Sequence, residues 1–357
     1  MISLTLNLLE DWTFESQVVR VLLHKAPMQN EILLQQHGQL SDFTGKNIGK
    51  IREDITDVED NEIWIFFANT KKVQRFYRPS SNSNTILLTE RCDQACIMCS
   101  QPPKNKDYLY FDIYKQALGL IDAEVEIGIS GGEPSLFKTE LLEFLIQTAE
   151  LYPNIKFQIL TNGQHFNVED KNKLKRLSKT VMWAVPIYSA NPEQHDKIVG
   201  KDGAFDTLMQ VLPIFAVSSS HVQIRSVVMQ QNYFDFPELA KLLSIHLPWI
   251  SHWAIMQLER YGFAKIQWEN KFKDTSSDFD MISNALDITA STGLRTKLFN
   301  FPKCTVPKNY RHLAINSISD WKQKYLQICS SCNSKNDCSV FFEWYRENSG
   351  YSNLVPI

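Results

Sequence analysis

The chain has 357 residues, of which 43% are hydrophobic and 22% charged, and its formal net charge at pH 7 is −3. This composition is typical of a folded globular protein and excludes the disordered, fibrous and membrane-embedded classes. Because the charge is near neutral and no long run of like charges occurs, we expect neither nucleic acid nor a membrane as a partner.

The first part of the chain predicts a small β-rich N-terminal module over residues 1–83. Its short apolar segments SLTLNLL, QVVRVLLHK and NEIWIFFAN are separated by polar turns, and the loop-like RPSSNSN closes the module. The start of the chain lacks the basic residues and long apolar run of a signal peptide, which predicts a cytoplasmic protein. Nothing in the module signals a function, so peptide docking and a packing role both stay open.

Strands and helices alternate over the second predicted domain, residues 84–290. The six predicted strands are TILLT, VEIGIS, KFQILTNG, TVMWAVPIYS, HVQIRSVVM and HWAIMQL, and a helical pattern follows each of them. Six consecutive steps of this kind predict an α/β fold with a parallel sheet, either doubly wound or curled into a partial barrel. In such barrels the functional residues lie at the carboxyl ends of the strands.

Three cysteines follow the first predicted strand in TERCDQACIMCSQPP, namely Cys92, Cys96 and Cys99. In a cytoplasmic protein, clustered cysteines indicate metal ligands rather than disulfides. Zinc usually takes four protein ligands at a structural site, and no fourth is near in sequence. Three thiolates on an iron–sulfur cluster leave one iron open, which makes the cluster a reaction site. A zinc site with a remote fourth ligand is the alternative.

Further motifs follow the next three strands: GGEP at 131–134, TNG at 161–163 and YSANPEQHD at 188–196. Carboxyl ends of parallel strands meet at one edge, so we expect these motifs to lie beside the cysteine loop. His195 and Asp196 resemble part of a Ser-His-Asp triad, but no nucleophile elbow accompanies them, and we interpret His195 as loop structure.

These motifs resemble those of the radical S-adenosylmethionine (SAM) enzymes, which carry Cys-x3-Cys-x2-Cys after the first strand of a partial (β/α)6 barrel. The resemblance implies that Cys92, Cys96 and Cys99 bind a 4Fe–4S cluster whose open iron chelates the amine and carboxylate of SAM. The family usually has an aromatic residue before the third cysteine. Here Met98 stands in that place, and a polarizable methionine can also pack on adenine.

The resemblance also implies a set of SAM contacts. It places Gly131, Gly132 and Glu133 beside the SAM amine, where the glycines let the backbone approach the ligand. It further implies Asn162 and Ser189 as contacts from the third and fourth strands, with Ser189 near the ribose, Arg225 as a partner of the SAM carboxylate, and Leu258 as a cover for adenine. Sheet packing and turn formation are the alternative roles of these last four residues.

A second cysteine group lies in the third predicted domain, residues 291–357, and consists of Cys304, Cys329, Cys332 and Cys338. Four thiolates complete a closed metal site, and a structural zinc knot is one interpretation. The group resembles the twitch or SPASM extension of radical SAM enzymes that modify peptides and proteins. That resemblance implies one auxiliary 4Fe–4S cluster.

The stretches LLTERCDQACIMCSQPPK and SISDWKQKYLQICSSCNSKNDC, the latter followed by FF, resemble more narrowly the His-Xaa-Ser system radical SAM maturases of bacteria (the C component). The implied activity is reductive cleavage of SAM to a 5'-deoxyadenosyl radical that modifies a ribosomally made peptide or protein. A precursor peptide, a flavodoxin- or ferredoxin-type electron donor and a companion maturase are the implied partners. In place of an expected glycine, this chain has Ser339 and Val340.

Two other hypotheses remain open on the sequence. One is a radical SAM enzyme that acts on a nucleotide or small metabolite. The other is a non-catalytic iron–sulfur binding or redox sensor protein. The three-cysteine loop and GGEP on one predicted edge favour an enzyme, while the N-terminal module and the second cysteine group favour a peptide substrate.

Overall fold

A computed structural model describes residues 3–8, 17–23, 31–35, 39–42, 46–51, 58–67 and 72–357. The chain divides into two compact units. The first comprises Met1–Leu88, Tyr108–Ser130 and Thr139–Gln158, and the second comprises Thr89–Asp107, Gly131–Lys138 and Ile159–Ile357. Of the helices that the structure describes, none has the length and apolar character needed to cross a bilayer.

The N-terminal part forms a closed β-barrel with the strand order β1-β5-β4-β3-β2-β6-β7. The strands are β1 (Ser3–Leu8), β2 (Gln17–Leu22), β3 (Glu31–Leu34), β4 (Gln39–Ser41), β5 (Asn47–Ile51), β6 (Glu62–Phe67) and β7 (Lys72–Tyr77). The barrel core consists of Val19, Val21, Ile32, Leu40, Trp64, Phe66 and Val73. The predicted β-rich module is confirmed, and three of its strands match the three apolar segments noted in the sequence.

A charged group lies buried beside this core. Arg75 donates from Nε to Glu62 at 2.9 Å and forms a second, shorter contact through its Nη2 atom. Trp64 donates its indole N–H to the same carboxylate at 2.7 Å. Because Glu62 is fully buried, these donors compensate its loss of hydration.

The second sheet has seven strands in the order β14-β13-β12-β11-β10-β9-β8. They are β8 (Thr85–Thr89), β9 (Val125–Gly131), β10 (Ile155–Leu160), β11 (Val181–Pro186), β12 (His221–Val228), β13 (His252–Gln257) and β14 (Thr296–Phe299). The helices are α1 (Phe111–Leu118), α2 (Lys138–Leu151), α3 (Lys171–Arg176), α4 (Pro192–Val199), α5 (Ala204–Val217), α6 (Phe236–His246), α7 (Trp268–Lys271) and α8 (Asp280–Thr292). The spatial order follows the chain, so each strand lies beside the next one in sequence, which is the order of a β/α barrel and not of a doubly wound sheet.

This sheet confirms the predicted α/β partial barrel and adds a strand to it. The six predicted strands are present, and β14 pairs in parallel with β13 through Ala254 opposite Lys297 and neighbouring residues. The sheet therefore continues past residue 290, where the sequence predicts a boundary. Beyond β14 the chain forms short 3-10 turns and one antiparallel pair, β15 (Gln323–Lys324) with β16 (Phe341–Phe342).

Candidate metal and cofactor site

The three-cysteine loop follows β8 directly and is held by the end of α4. Ala95 donates its backbone N–H to the carbonyl of Val199 at 2.9 Å, and Ile97 donates to the carbonyl of Ile198 at 2.9 Å. The last carbonyls of a helix lack partners within the helix. The loop satisfies two of them and is thereby fixed between its first and third cysteines.

The Gly-Gly turn after β9 packs against the start of the same loop. Gly132 donates to the carbonyl of Thr89 at 2.8 Å, and Glu133 donates to that of Arg91 at 2.7 Å. A Cβ atom on Gly132 would lie 2.0 Å from the Arg91 carbonyl oxygen, and Gly131 has a φ of 145°. Both positions therefore require glycine, one for close approach and one for backbone conformation.

The side chain of Glu133 is buried, with a relative exposure of 1%. Its carboxylate accepts hydrogen bonds from the Ser135 backbone at 2.8 Å, the Thr161 hydroxyl at 2.6 Å and the Asn162 backbone at 2.5 Å. The Ser135 hydroxyl is a further donor. Burial raises the pKa of Glu133, and these bonds oppose that shift. The carboxylate thus joins the ends of β9 and β10, and its contact with a SAM amine stays a prediction.

Asp93, inside the cysteine loop, gathers donors from two later segments. Asn162 donates from Nδ2 at 2.8 Å and Lys201 from Nζ at 2.5 Å, and His165 Nε2 lies 3.3 Å away. Burial acts to raise the pKa of Asp93, but hydrogen bonds from His165, Lys201 and Asn162 hold that pKa well below its usual range. The predicted ligand contact Asn162 therefore lies beside the loop and supports it.

The three thiols lie within electrostatic reach of one another. Burial raises the pKa of Cys96 to about 12, and the charges of Cys99 and Cys92 add to the shift. Burial, with the charge of Glu133 adding to it, likewise raises the pKa of Cys92 to about 12, and burial raises the pKa of Cys99. Three half-buried thiols with raised pKa values do not ionise together near neutral pH unless a positive centre compensates them.

Among the described residues, no three His, Cys, Asp or Glu side chains converge tightly enough to hold one metal ion. A 4Fe–4S cluster is wider than one ion, and its thiolates bind at separate corners, so its cysteines stand farther apart. The donor set of three soft thiols on one loop fits such a cluster.

Tyr188 lies beside these thiols, and Arg225 lies beside Tyr188. Burial raises the pKa of the Tyr188 hydroxyl, and the neighbouring charge of Cys96 contributes, while Arg225 opposes the shift. Arg225 donates from Nε to the Met256 sulfur at 3.2 Å, and among the described residues no carboxylate pairs with it. A half-buried guanidinium without a carboxylate partner is suited to an anionic ligand group. Tyr188, which sequence reasoning missed, directly precedes the predicted contact Ser189.

The other predicted contacts divide into two kinds. Met98 and Leu258 are 6% and 4% exposed and belong to one apolar cluster. Ser189 is fully buried, donates to Asp235 at 2.7 Å and accepts from the Asn191 backbone at 2.9 Å. Met98 and Leu258 thus lie in one apolar cluster with the cysteine loop, whereas Ser189 already has two hydrogen-bond partners within the chain. His195 is corrected from loop to helix, since it lies in α4.

The four C-terminal cysteines line one cavity. Burial raises the pKa of Cys304 to about 12, and the charges of Cys338, Cys329 and Cys332 add to the shift. Cys338 accepts backbone N–H bonds from Lys303 and Val340, both at 3.3 Å. Sequence positions more than 30 apart are thus brought together as a four-thiol donor set. Because no three described side chains converge on one ion, this set fits the wider auxiliary cluster better than a single zinc ion.

Comparison with protein families matches residues 86–243 to the Radical SAM superfamily. Among curated proteins, the chain is 25% identical over 197 residues to GTP 3',8-cyclase of Aquifex aeolicus, covering 51% of this chain and 59% of that protein. It is 22% identical over 163 residues to the antilisterial bacteriocin subtilosin biosynthesis protein AlbA of Bacillus subtilis, covering 44% and 35%. The chain therefore spans less than two thirds of the length of these relatives.

Among solved structures, Streptococcus suis SuiB bound to S-adenosylmethionine superposes with a TM-score of 0.50 and 19% identity. The match covers 60% of this chain and 49% of SuiB. At this identity the likeness concerns the fold, and it agrees with the partial barrel described above.

Proposed function

We propose that the protein cleaves SAM reductively and modifies a ribosomally made peptide or protein, as a His-Xaa-Ser type maturase, because residues 86–243 match the Radical SAM superfamily. The observation that carries the proposal is the loop with three half-buried thiols near Tyr188, together with the neighbour of Tyr188, Arg225, a half-buried guanidinium that no carboxylate of the described residues pairs with. When bound, a 4Fe–4S cluster with SAM supplies the electron that breaks the sulfonium bond and the 5'-deoxyadenosyl radical that abstracts hydrogen.

The chain's own residues supply binding, orientation and exclusion of water in this proposal. Cys92, Cys96 and Cys99 would hold the cluster, and Arg225 would neutralise the SAM carboxylate. Met98 and Leu258 would cover the adenine with an apolar surface, which keeps water from the radical. A flavodoxin- or ferredoxin-type protein would supply electrons, and a companion maturase would be a further partner.

Support for a peptide substrate comes from the four-thiol C-terminal site and from the likeness to AlbA, which is named for bacteriocin biosynthesis. A nucleotide substrate is the second candidate, because the chain is 25% identical to a GTP 3',8-cyclase over 51% of its length. In either case the four C-terminal thiols would hold an auxiliary 4Fe–4S cluster.

Isotope transfer separates the two candidates. The reconstituted protein would be reduced with SAM and a synthetic four-repeat His-Ala-Ser peptide in which the carbon-bound hydrogens are deuterium, and the mass of the 5'-deoxyadenosine would be measured. We expect deuterium in the product with the peptide and none with deuterated GTP. Deuterium transfer from GTP alone would replace the peptide proposal by the nucleotide one.

A further inference from the structure

The strands β12, β13 and β14 have one face covered by helices and an inner face that water reaches. Trp253 is fully buried and stacks on Phe236 of α6 with ring centroids 5.8 Å apart, which places Trp253 on the helix-covered face. Side chains alternate between the two faces of a strand, so its neighbours His252 and Ala254, and then Met256, lie on the inner face. His252 and Met256 are half-buried, so a ligand can approach this face.

One row of the inner face carries a cationic residue on either side of an alanine. In the strand register Arg225 lies opposite Ala254, and Ala254 lies opposite Lys297. Residues directly opposite each other on paired strands share a face, so both cationic side chains stand on the inner face. The Ala254 side chain is buried, whereas Arg225 is half-buried and Lys297 is exposed. The two cations therefore form the accessible surface of this row, with their Cα atoms about 10 Å apart.

The adjacent row shows that these charges act on the same place. His252 lies opposite Gln223 in the register, and its Nε2 atom is 2.6 Å from Gln223 Nε2. Burial lowers the pKa of His252 to about 4, and the charges of Lys297, Arg225 and Arg295 add to the shift. Three cationic side chains thus lie within electrostatic reach of one imidazole, which is itself uncharged at neutral pH.

None of these three cations is neutralised within residues 72–357. Over that range Arg225, Lys297 and Arg295 form no ion pair, and the guanidinium of Arg225 donates only to the Met256 sulfur, at 3.2 Å. Cations held near one another repel, and an anionic ligand relieves that repulsion. The proposed function supplies one such anion, the SAM carboxylate at Arg225, and leaves the charge at Lys297 and Arg295 without one.

We propose that Lys297, with Arg295 beside it, binds the carboxylate of an acidic side chain of the substrate peptide on this inner face, while Arg225 holds the SAM carboxylate. The inference rests on the proposed function, in which the substrate is a peptide, and it names the residue that selects among peptides. Ala254, level with Lys297, precedes Leu258 by four residues, about 13 Å along a strand. The carboxylate would therefore anchor the peptide below the proposed adenine cover.

The backbone of this row favours a carboxylate over a phosphate. Phosphate sites usually present free backbone N–H groups, at a helix N-terminus or in a turn. Here β13 lies between β12 and β14, and its backbone pairs with both of them. Only side-chain charge is left for a ligand, and one ammonium matches one carboxylate.

The test measures binding of two fluorescent four-repeat peptides with blocked ends, His-Glu-Ser and His-Gln-Ser, to the anaerobically reconstituted protein with SAM. Glutamine has the shape of glutamate without its charge, so the ratio of the two Kd values isolates the carboxylate. We expect the wild type to bind the glutamate peptide about tenfold more tightly, the effect of one charge-assisted hydrogen bond. Lys297→Met should abolish this preference, and Lys297→Arg, which keeps the charge, should retain it.

Lys241→Met is the matched control. Lys241 lies on α6, which packs on the opposite face of the sheet, and its ammonium pairs with Glu238 at 2.6 Å. The substitution removes the same charge from the protein and should leave the preference at about tenfold. A preference lost in both variants would reflect net charge and overturn the proposal. The preference of the wild type needs no substitution, so the proposal can fail whether or not the variants fold.

Three further results would overturn the proposal. They are a wild type that binds both peptides alike, a Lys297→Met variant that still prefers the glutamate peptide, and a Lys297→Met variant that loses affinity for SAM or GTP instead. SAM cleavage without peptide is measured on the same preparations. A protein that cleaves SAM without preferring glutamate would lose only this binding site. A protein that never cleaves SAM but shows the Lys297-dependent preference would refute the proposed function and leave the site intact.

Discussion

Lys271 donates from Nζ to the carbonyl of Ile97 at 2.8 Å, although the two residues are 174 positions apart in the chain. The same ammonium donates to the carbonyl of Phe263 at 2.9 Å, and Phe263 in turn donates its N–H to the Cys99 carbonyl at 2.8 Å. A segment after β13 thus holds the three-cysteine loop between its second and third thiols.

We expect Lys271→Met to loosen that loop, because it removes two hydrogen bonds from a charged donor. The reconstituted variant should lose iron to a chelator about tenfold faster than the wild type, measured as bleaching of the cluster absorbance. Lys265→Met is the control, since Lys265 lies in the same segment and its ammonium lies over the Tyr261 ring, 4.6 Å from the centroid, instead of bonding to the cysteine loop. Equal iron loss in all three proteins would show that Lys271 does not support the loop.

His195 provides a pH-dependent prediction. Its ring is 1% exposed, its Nδ1 accepts the Tyr188 backbone N–H at 3.3 Å, and burial lowers its pKa to about 4. As pH falls below about 6.5, His195 binds a proton in the unfolded chain but not in the folded chain. The protein therefore loses stability until the pH reaches the pKa of His195 in the folded chain.

The free energy of unfolding should therefore fall from pH 7 to pH 5, with His195 contributing on the order of 2 kcal/mol to the loss. His195→Gln, which keeps an acceptor and does not titrate, should show a shallower dependence in urea titrations at these two pH values. Equal slopes for both proteins would mean that His195 is protonated in the folded state.

The buried pair of Glu62 and Arg75 predicts a large effect in the N-terminal barrel. Arg75→Met removes the guanidinium that pairs with the buried Glu62 carboxylate, and should destabilise the protein by about 3 kcal/mol although the Trp64 indole and the Glu59 backbone N–H still donate to that carboxylate. Arg20→Met is the control. Arg20 pairs with Asp122, whose side chain is 81% exposed, so this substitution should lower the free energy of unfolding by less than about 1 kcal/mol. Similar melting temperatures for the two variants would contradict this account.

The second cysteine group predicts a separable metal site. Cys304→Ala combined with Cys332→Ala should remove about half of the iron, since two clusters of four irons are expected. SAM cleavage without peptide should persist, because neither residue belongs to the three-cysteine loop. Ser330→Ala with Ser331→Ala tests for a general effect of substitution in this segment. If the wild type held zinc at these four cysteines and only about four irons per chain, the second cysteine group would be a structural zinc site instead.

Some of this site is predictable from local sequence and some is not. The cysteine loop and the Gly-Gly turn follow predicted strands, and parallel strands bring their carboxyl ends to one edge, so their proximity is predictable. The partners of Glu133 are not predictable in this way, because Thr161 and Asn162 reach its carboxylate only through the relative positions of two strand ends. Lys271 belongs to a short segment with no motif, and its target is a backbone carbonyl.

The barrel shows the same limit. Strands β2 and β6 have long apolar runs and are predictable, whereas β7 contains Gln74 and Arg75 and has the pattern of an exposed segment. Arg75 is 6% exposed because Glu62 of the neighbouring strand neutralises it. Val340, where the sequence predicts a turn that favours glycine, has a φ of 57°, which a β-branched residue rarely adopts. Pairing across strands, rather than local pattern, decides the burial of Arg75.

The most direct test of the account compares the wild type with the Cys92→Ala/Cys96→Ala/Cys99→Ala variant after anaerobic reconstitution with iron and sulfide. Iron per chain and 5'-deoxyadenosine formed from SAM with dithionite are measured together. We predict about eight irons and SAM cleavage in the wild type, and about half of that iron with no cleavage in the variant. A wild type that binds zinc at these cysteines, or that holds iron and never cleaves SAM, would contradict the assignment of the three-cysteine loop as a radical SAM site.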